Sequence, residues 1–170
     1  MSLSLNKKKL FIITGVCGLV GSTLLSKMLS KNDSIVIGID NLKLGKLKFI
    51  KKFLNKKNFY FLKLNLDKSI NNSKIKQILK NCRLEEMWLL AANSDIQAGI
   101  NNPNIDYRDT FLSTFNILNF VKPYLNINSK IIFSSSSAIY GDLGKNMHEK
   151  SAPFMPESNY GAMKLASEGF

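Results

Sequence analysis

The stretch Lys9-Leu10-Phe11-Ile12-Ile13-Thr14-Gly15-Val16-Cys17-Gly18-Leu19-Val20-Gly21 constrains this chain more than any other. A short apolar β-type run feeds three glycines spaced G-x-x-G-x-x-G, and the helical pattern Leu24, Leu25, Met28, Leu29 comes directly after. Strand, tight turn and helix start in that order form the layout that holds a dinucleotide pyrophosphate. Glycine is needed where the backbone turns sharply and where a Cβ would collide with the phosphates. The N–H groups and dipole at the helix start then supply the counter-charge. Gly15, Gly18, Leu19, Val20 and Gly21 are therefore the first candidate cofactor-binding residues.

A rival reading exists for the same residues. Lys7-Lys8-Lys9 ahead of an apolar run also matches the start of a secretory signal, with Cys17 as a lipid-acceptor cysteine. Val16 stands where such a site wants a small residue, and Thr14, Gly15, Gly18 and Gly21 interrupt the run. The glycine-turn reading is preferred because Asp40 and the pair Tyr160 and Lys164 extend the same pattern along the chain.

The 170 residues suit one domain with a real core, and no apolar run is long enough to span a membrane. Two cysteines, Cys17 and Cys82, give neither a disulfide framework nor a metal-ligand spacing, so a reducing compartment is expected and no metal. Position near a helix N-terminus could lower the Cys17 pKa; a small residue tolerated in the turn is the plainer reading. The net charge of +12 comes from 22 lysines against two arginines, Arg83 and Arg108, beside 19 asparagines. Arginine makes the bidentate base and phosphate contacts and is nearly absent, so no nucleic-acid partner is expected. The densest runs, Lys46 to Lys57 and Lys74 to Lys80, read as solvated helix faces, and no membrane partner is expected either.

Strand-like runs recur at Leu10–Thr14, Ile35–Ile39, Phe59–Leu64, Met87–Ala91 and Lys130–Ser134, short and apolar as in strands buried on both faces. Helical patterns lie between them at about 19–31, 45–57, 70–81 and 104–126, and a last helix begins near Tyr160. The alternation predicts an α/β fold: a doubly wound, Rossmann-type parallel sheet between two helical layers.

Asp40, at the end of the second strand, lies 19 residues beyond Gly21, where an acid accepts hydrogen bonds from both adenosine ribose hydroxyls and repels a 2′-phosphate. That favours NAD over NADP, with Asn41 beside it. Asn65 and Leu66, after the third strand, fall in the region that meets adenine. Ala91, Ala92 and Asn93, at the carboxyl end of the fourth strand, let the backbone approach a cofactor at the strand-order switch. After the fifth strand come the hydroxyls of Ser134 to Ser137, and then Tyr160-Gly161-Ala162-Met163-Lys164 sets a tyrosine and a lysine on one helix face. A nearby ammonium favours the phenolate of a tyrosine. A serine can then hydrogen-bond the substrate oxygen while the phenolate takes its proton.

Taken together, Thr14-Gly15-x-x-Gly18-x-x-Gly21, Asp40-Asn41-Leu42, Ala91-Ala92, Ser134 to Gly141 and Pro156-x-Ser158-x-Tyr160-Gly161-x-x-Lys164-x-Ala166-x-Glu168 resemble the N-terminal part of an extended short-chain dehydrogenase/reductase, in the nucleotide-sugar epimerase group. The resemblance implies a cytoplasmic, NAD-dependent enzyme acting on a nucleotide sugar through transient oxidation to a keto sugar. By the family pattern Ser136 is the catalytic hydroxyl and Tyr160 the base, while Lys164 binds the nicotinamide ribose and tunes the tyrosine. Members continue for well over a hundred residues into a sugar-nucleotide domain. Residues 1–170 are thus expected to be the NAD-binding part, inactive alone, with a homodimer formed by the full-length protein. The family's 4,6-dehydratases carry an Asp-Glu pair where Ser136-Ser137-Ala138-Ile139 stands here, which favours a 4-epimerase. A reductase or dehydrogenase of the same family, and a non-catalytic NAD-binding fragment, remain alternatives. Two positions depart from the pattern: Leu89 replaces a common histidine, and Thr110 replaces a common asparagine.

Overall fold

A computed structural model describes residues 7–31, 33–144 and 146–170. Five parallel strands form one sheet: β1 (Lys9–Thr14), β2 (Ser34–Asp40), β3 (Phe59–Lys63), β4 (Arg83–Leu89) and β5 (Lys130–Phe133). Their order across the sheet is β3-β2-β1-β4-β5, so the winding direction reverses between β1 and β4. This is the expected doubly wound sheet, and the reversal opens a crevice at the carboxyl ends of those two strands.

β1 shows why the sheet must be covered on both faces. Its residues alternate between two cores: Leu10 and Ile12 pack with Ile37, Met87 and helix α2 (Ser73–Asn81), while Phe11 and Ile13 pack with Leu25, Met28 and helix α1 (Leu19–Leu29). Ile12 lies in register with both Ile37 and Met87, which puts the least exposed part of the sheet at its centre. Helix α5 (Ser113–Val121) joins α2 over the first core through Ile117 and Val121. Helix α6 (Asn159–Gly169) packs on residues 103–112 and on the 3₁₀ turn Ser137–Ile139 that follows β5.

Three local readings change. Residues 45–57, expected as a helix, form two 3₁₀ turns, Leu47–Phe49 and Lys51–Phe53. Ile50 and Phe53 are the buried anchors, three residues apart, which suits three residues per turn. No side chain caps either turn, and like-charged lysines at three- and four-residue spacing oppose an α-helix. β4 begins at Arg83, four residues before the apolar run, because the Arg83-Leu84-Glu85-Glu86 stretch pairs with β1 through a register shift beside Glu85. A short helix, α3 (Ile96–Asn101), comes after β4, started by Asp95, whose carboxylate accepts from the Ala98 N–H.

The long helix expected over 104–126 is present but not uniform. An α turn, α4 (Pro103–Asp106), runs into a π-helical segment, Tyr107–Leu112, before α5 begins. The Ser113 N–H and hydroxyl both donate to the Arg108 carbonyl five residues back, so the wider turn is closed twice at its end. Ile37→Ala would leave a cavity at the sheet centre, and urea unfolding is expected to show a loss of about 2–5 kcal/mol.

Candidate functional site

The crevice between β1 and β4 is a cleft of about 560 Å³, inside the range typical of ligand pockets (~300–1,000 Å³). It runs from Gly15, Gly18, Leu19, Val20 and Gly21 past Asp40 and Asn41 to Ala91, Ala92, Asn93, Tyr160 and Lys164. Chain segments far apart in sequence thus line one space.

The glycine turn forms its floor. Gly15 holds φ at +67°, a left-handed conformation, and its N–H donates to the Ile39 carbonyl at 2.8 Å. A Cβ on Gly21 would stand 2.3 Å from the Gly15 carbonyl oxygen, so α1 can leave the turn only with hydrogen at that position. Gly18 caps α1 without a side-chain acceptor, which leaves the first turn of an eleven-residue helix free to meet an anion. These features fit a dinucleotide pyrophosphate.

Asp40 is 8% exposed, and its carboxylate is already employed: Cys17 N–H donates to Oδ2 at 2.9 Å and Leu42 N–H to Oδ1 at 2.8 Å. The same acid therefore ties the second strand to the glycine turn while each oxygen keeps a lone pair for a ribose hydroxyl. Cys17 lies under this carboxylate, and burial together with the Asp40 charge pushes its thiol up to about 12. That corrects the lowered pKa suggested by the helix terminus, and the side chain is fully buried, with no access for a lipid.

Leu66 lines the cleft, but Asn65 is exposed and outside the lining. Asn93 lines it with a side chain that the protein itself consumes. Its amide donates to Asp95 O and Asp106 Oδ1, both at 2.8 Å, and its oxygen accepts from Asp95 N–H. The Asn93 N–H donates to Thr110 Oγ1, so the threonine that departs from the family pattern anchors the β4 loop to the π segment.

Lys164 is 2% exposed, its Nζ donating to the Ser134 carbonyl at 2.6 Å and sitting 4.7 Å above the Phe133 ring and 5.6 Å above that of Tyr160. Burial lowers its pKa to about 8. Burial also raises the Tyr160 pKa; the Ser136 hydroxyl opposes that rise, and the buried Asp106 charge adds to it. Within the protein alone, burial thus sets the direction of the Tyr160 shift, opposite to the one a neighbouring ammonium was expected to give. Gly161 lets α6 lie against the turn at Ala138: a Cβ there would meet the Ala138 carbonyl at 2.4 Å. Ser158 starts the helix by accepting from the Gly161 N–H.

Three polar features around the cleft were given no site role by the sequence. Thr14 Oγ1 accepts from Leu90 N–H and Ala91 N–H, at 3.0 and 3.1 Å, clamping β1 to the end of β4. Lys43 Nζ bridges both Asp109 oxygens at 3.0 and 2.9 Å, linking the β2 loop to the π segment, and Arg108 lines the cleft beside it. Only the β-branched hydroxyl in Thr14-Gly15 was visible as part of a motif; the ion pair left no local signal.

The family model described as GDP-mannose 4,6 dehydratase matches residues 12–170. The chain belongs to this NAD-dependent epimerase/dehydratase family. It is 27% identical over 166 residues to the UDP-glucuronate 4-epimerase of Thermodesulfobacterium geofontis, covering 93% of this chain and 49% of that protein. Among solved structures, the UDP-glucose 4-epimerase of Thermus thermophilus, in complex with NAD, is 25% identical with a TM-score of 0.74, covering 94% of this chain and 49% of that one. The dTDP-glucose 4,6-dehydratase of Bacillus anthracis, also in complex with NAD, is 25% identical with a TM-score of 0.73, covering 95% and 48%. The chain spans about half the length of the curated relatives it matches. Members with epimerase and dehydratase names are matched at similar identity, so the family membership is coarser than an activity.

Lys164 supplies a test of the site on stability alone. Its folded pKa lies below the ordinary lysine value of 10.5, so the unfolded chain binds more protons between about pH 8 and 10.5. The cost of burying the ammonium is complete below pH 8 and gone above 10.5. Lys164→Met is therefore expected to stabilise the protein at pH 7 by about 1–3 kcal/mol. Thermal melts should show that gain shrinking as pH rises through this window.

Proposed function

We propose that this chain forms the cofactor-binding and proton-transfer part of an NAD-dependent nucleotide-sugar 4-epimerase. The observation that carries the choice within the family is the segment Ser136-Ser137-Ala138-Ile139, which lies after β5 beside Tyr160 and contains no carboxylate. A dehydration needs an acid and a base at that place to move water off the sugar. An epimerisation needs one group that takes and returns the proton of a single hydroxyl. Tyr160, with Ser136 beside it, supplies that group.

Gly15, Gly18, Leu19, Val20 and Gly21 would hold the pyrophosphate of NAD, Asp40 and Asn41 the adenosine ribose, Leu66 the adenine, and Ala91 and Ala92 the backbone wall near the nicotinamide. When bound, NAD⁺ supplies the hydride chemistry of the reaction. Lys164 would donate to the nicotinamide ribose hydroxyls, keeping its contact with the Ser134 carbonyl. Tyr160 takes the proton of the sugar hydroxyl at its phenolic oxygen, and the Ser136 hydroxyl steadies the same substrate oxygen. The raised Tyr160 pKa sets the requirement: positive charge must gather around this oxygen for it to act near neutral pH. The nucleotide sugar would be held largely by residues equivalent to the half of the relatives that this chain does not span.

Two measurements test the reading. Calorimetric titration of the chain should show tighter binding of NAD(H) than of NADP(H), and Asp40→Ala should erode the preference; equal affinity for the two would remove the role given to Asp40. In an enzyme that includes the sugar-nucleotide half, Tyr160→Phe should abolish turnover of UDP-sugars with NAD affinity nearly unchanged. Ser136→Ala should lower kcat by about 10²–10⁴. A Tyr160→Phe variant that keeps a tenth of wild-type kcat would show that another group is the base.

A further inference from the structure

The lysines of this protein are not spread evenly. Residues 41–82 hold twelve lysines and one acid, Asp67, so that this quarter of the chain carries eleven of the twelve excess positive charges. The remaining residues are almost neutral. A compositional preference for lysine would raise the charge everywhere, and it does not. The excess is densest in the two 3₁₀ turns and their flanks, where Lys46, Lys48, Lys51, Lys52, Lys56 and Lys57 are all exposed. Among the described residues none of these six makes an ion pair with a carboxylate.

The same element has two faces. Ile50 and Phe53 are buried in the core beside α1, and the Lys46 N–H donates to the Cys17 carbonyl at 3.1 Å, so the turns are fastened to the body of the domain. Facing outward between the lysines are Leu47, 39% exposed, and Phe49, 46% exposed. Lys48 Nζ stands 5.5 Å above the Phe49 ring, so this phenylalanine is held at the surface among the lysines rather than packed inward. Lysines around a small apolar tip are the composition of a surface that rests on anionic lipid, with the tip entering the headgroup layer. Nucleic acid fits less well. The element holds no arginine for bidentate phosphate or base contacts, and Phe49 is its only outward aromatic ring.

We propose that the Lys46–Lys57 turns are a peripheral membrane-docking surface for anionic phospholipid, reversing the expectation of a plain solvated face and no membrane partner. It lies outside the catalytic cleft and does not depend on the 4-epimerase reading. No helix among the described residues is long and apolar enough to cross a membrane, so the contact would lie along the surface.

The test is co-sedimentation of the 170-residue chain with vesicles of pure phosphatidylcholine and of an equal mixture with phosphatidylglycerol, at low and physiological ionic strength. Binding should require phosphatidylglycerol and weaken with salt. Replacing Lys46, Lys48, Lys51 and Lys52 with glutamine should weaken it by about fivefold per lysine. Leu47→Ser with Phe49→Ser, which keeps the charge, should weaken it by about tenfold. Removing the same sign of charge at Lys130 and Lys150 should leave it nearly unchanged, with circular dichroism confirming that each variant is folded. The wild-type lipid and salt series needs no variant and decides the matter first: no binding, or binding indifferent to phosphatidylglycerol, would overturn the proposal. Binding that survives both serine substitutions would also overturn it, and displacement from vesicles by a short oligoribonucleotide would then assign the surface to RNA.

Discussion

Everything that faces the cleft takes its position from the carboxyl end of β1. There the chain must leave a buried strand, turn, and enter α1 with almost no room, because the Gly21 backbone lies against the Gly15 carbonyl. At the same point Thr14 holds the N–H groups of Leu90 and Ala91, which fixes how far β4 diverges from β1. The first contact sets the floor of the crevice and the second its width. Replacing the hydroxyl would strand two backbone donors beside the cofactor wall, a penalty of about 1–3 kcal/mol each where the groups are buried.

A second layer of the site is built from groups that never need to meet a ligand. Asn93 spends its amide on Asp95 and Asp106, and Thr110 receives the Asn93 N–H from within a π-helical turn. An α-helical register would carry Thr110 around the helix by part of a turn and away from that donor. The π segment thus has a local purpose: it brings a hydroxyl to the β4 loop, and its end is closed by the Ser113 N–H and hydroxyl, which both donate to the Arg108 carbonyl. Lys43 and Asp109 then join this segment to the loop after β2, so the loops after β2 and β4 are both tied to the π segment by polar contacts.

The chemical end of the site is dominated by desolvation. Lys164 is nearly inaccessible, with one carbonyl and two aromatic rings around its ammonium, and its pKa falls for that reason. Tyr160 shares the setting, and burial moves its ionisation in the unfavourable direction. A site of this kind holds its charged groups at a cost in stability, which is the usual trade between function and folding.

How much of this was legible depends on distance along the chain. The individual strands and helices, the glycine turn, Asp40 at a strand end and the Tyr160–Lys164 pair all arise from spacings no longer than one strand–turn–helix unit, where covalent geometry and periodicity decide the outcome. The sequence determined those by itself, together with the family pattern they spell. Across the 3₁₀ turns the lysine spacing imitates an amphipathic helix, whereas the burial of Ile50 and Phe53 selects the tighter winding. Tertiary structure alone decided the Thr14 clamp, whose partners lie 76 and 77 residues away, and the Lys43–Asp109 pair, 66 residues apart. It also decided the pKa directions of Cys17, Tyr160 and Lys164. Hydrogen-bond partners across the switch point and the loss of water around a charge are properties of packed segments, and no local run of residues encodes them.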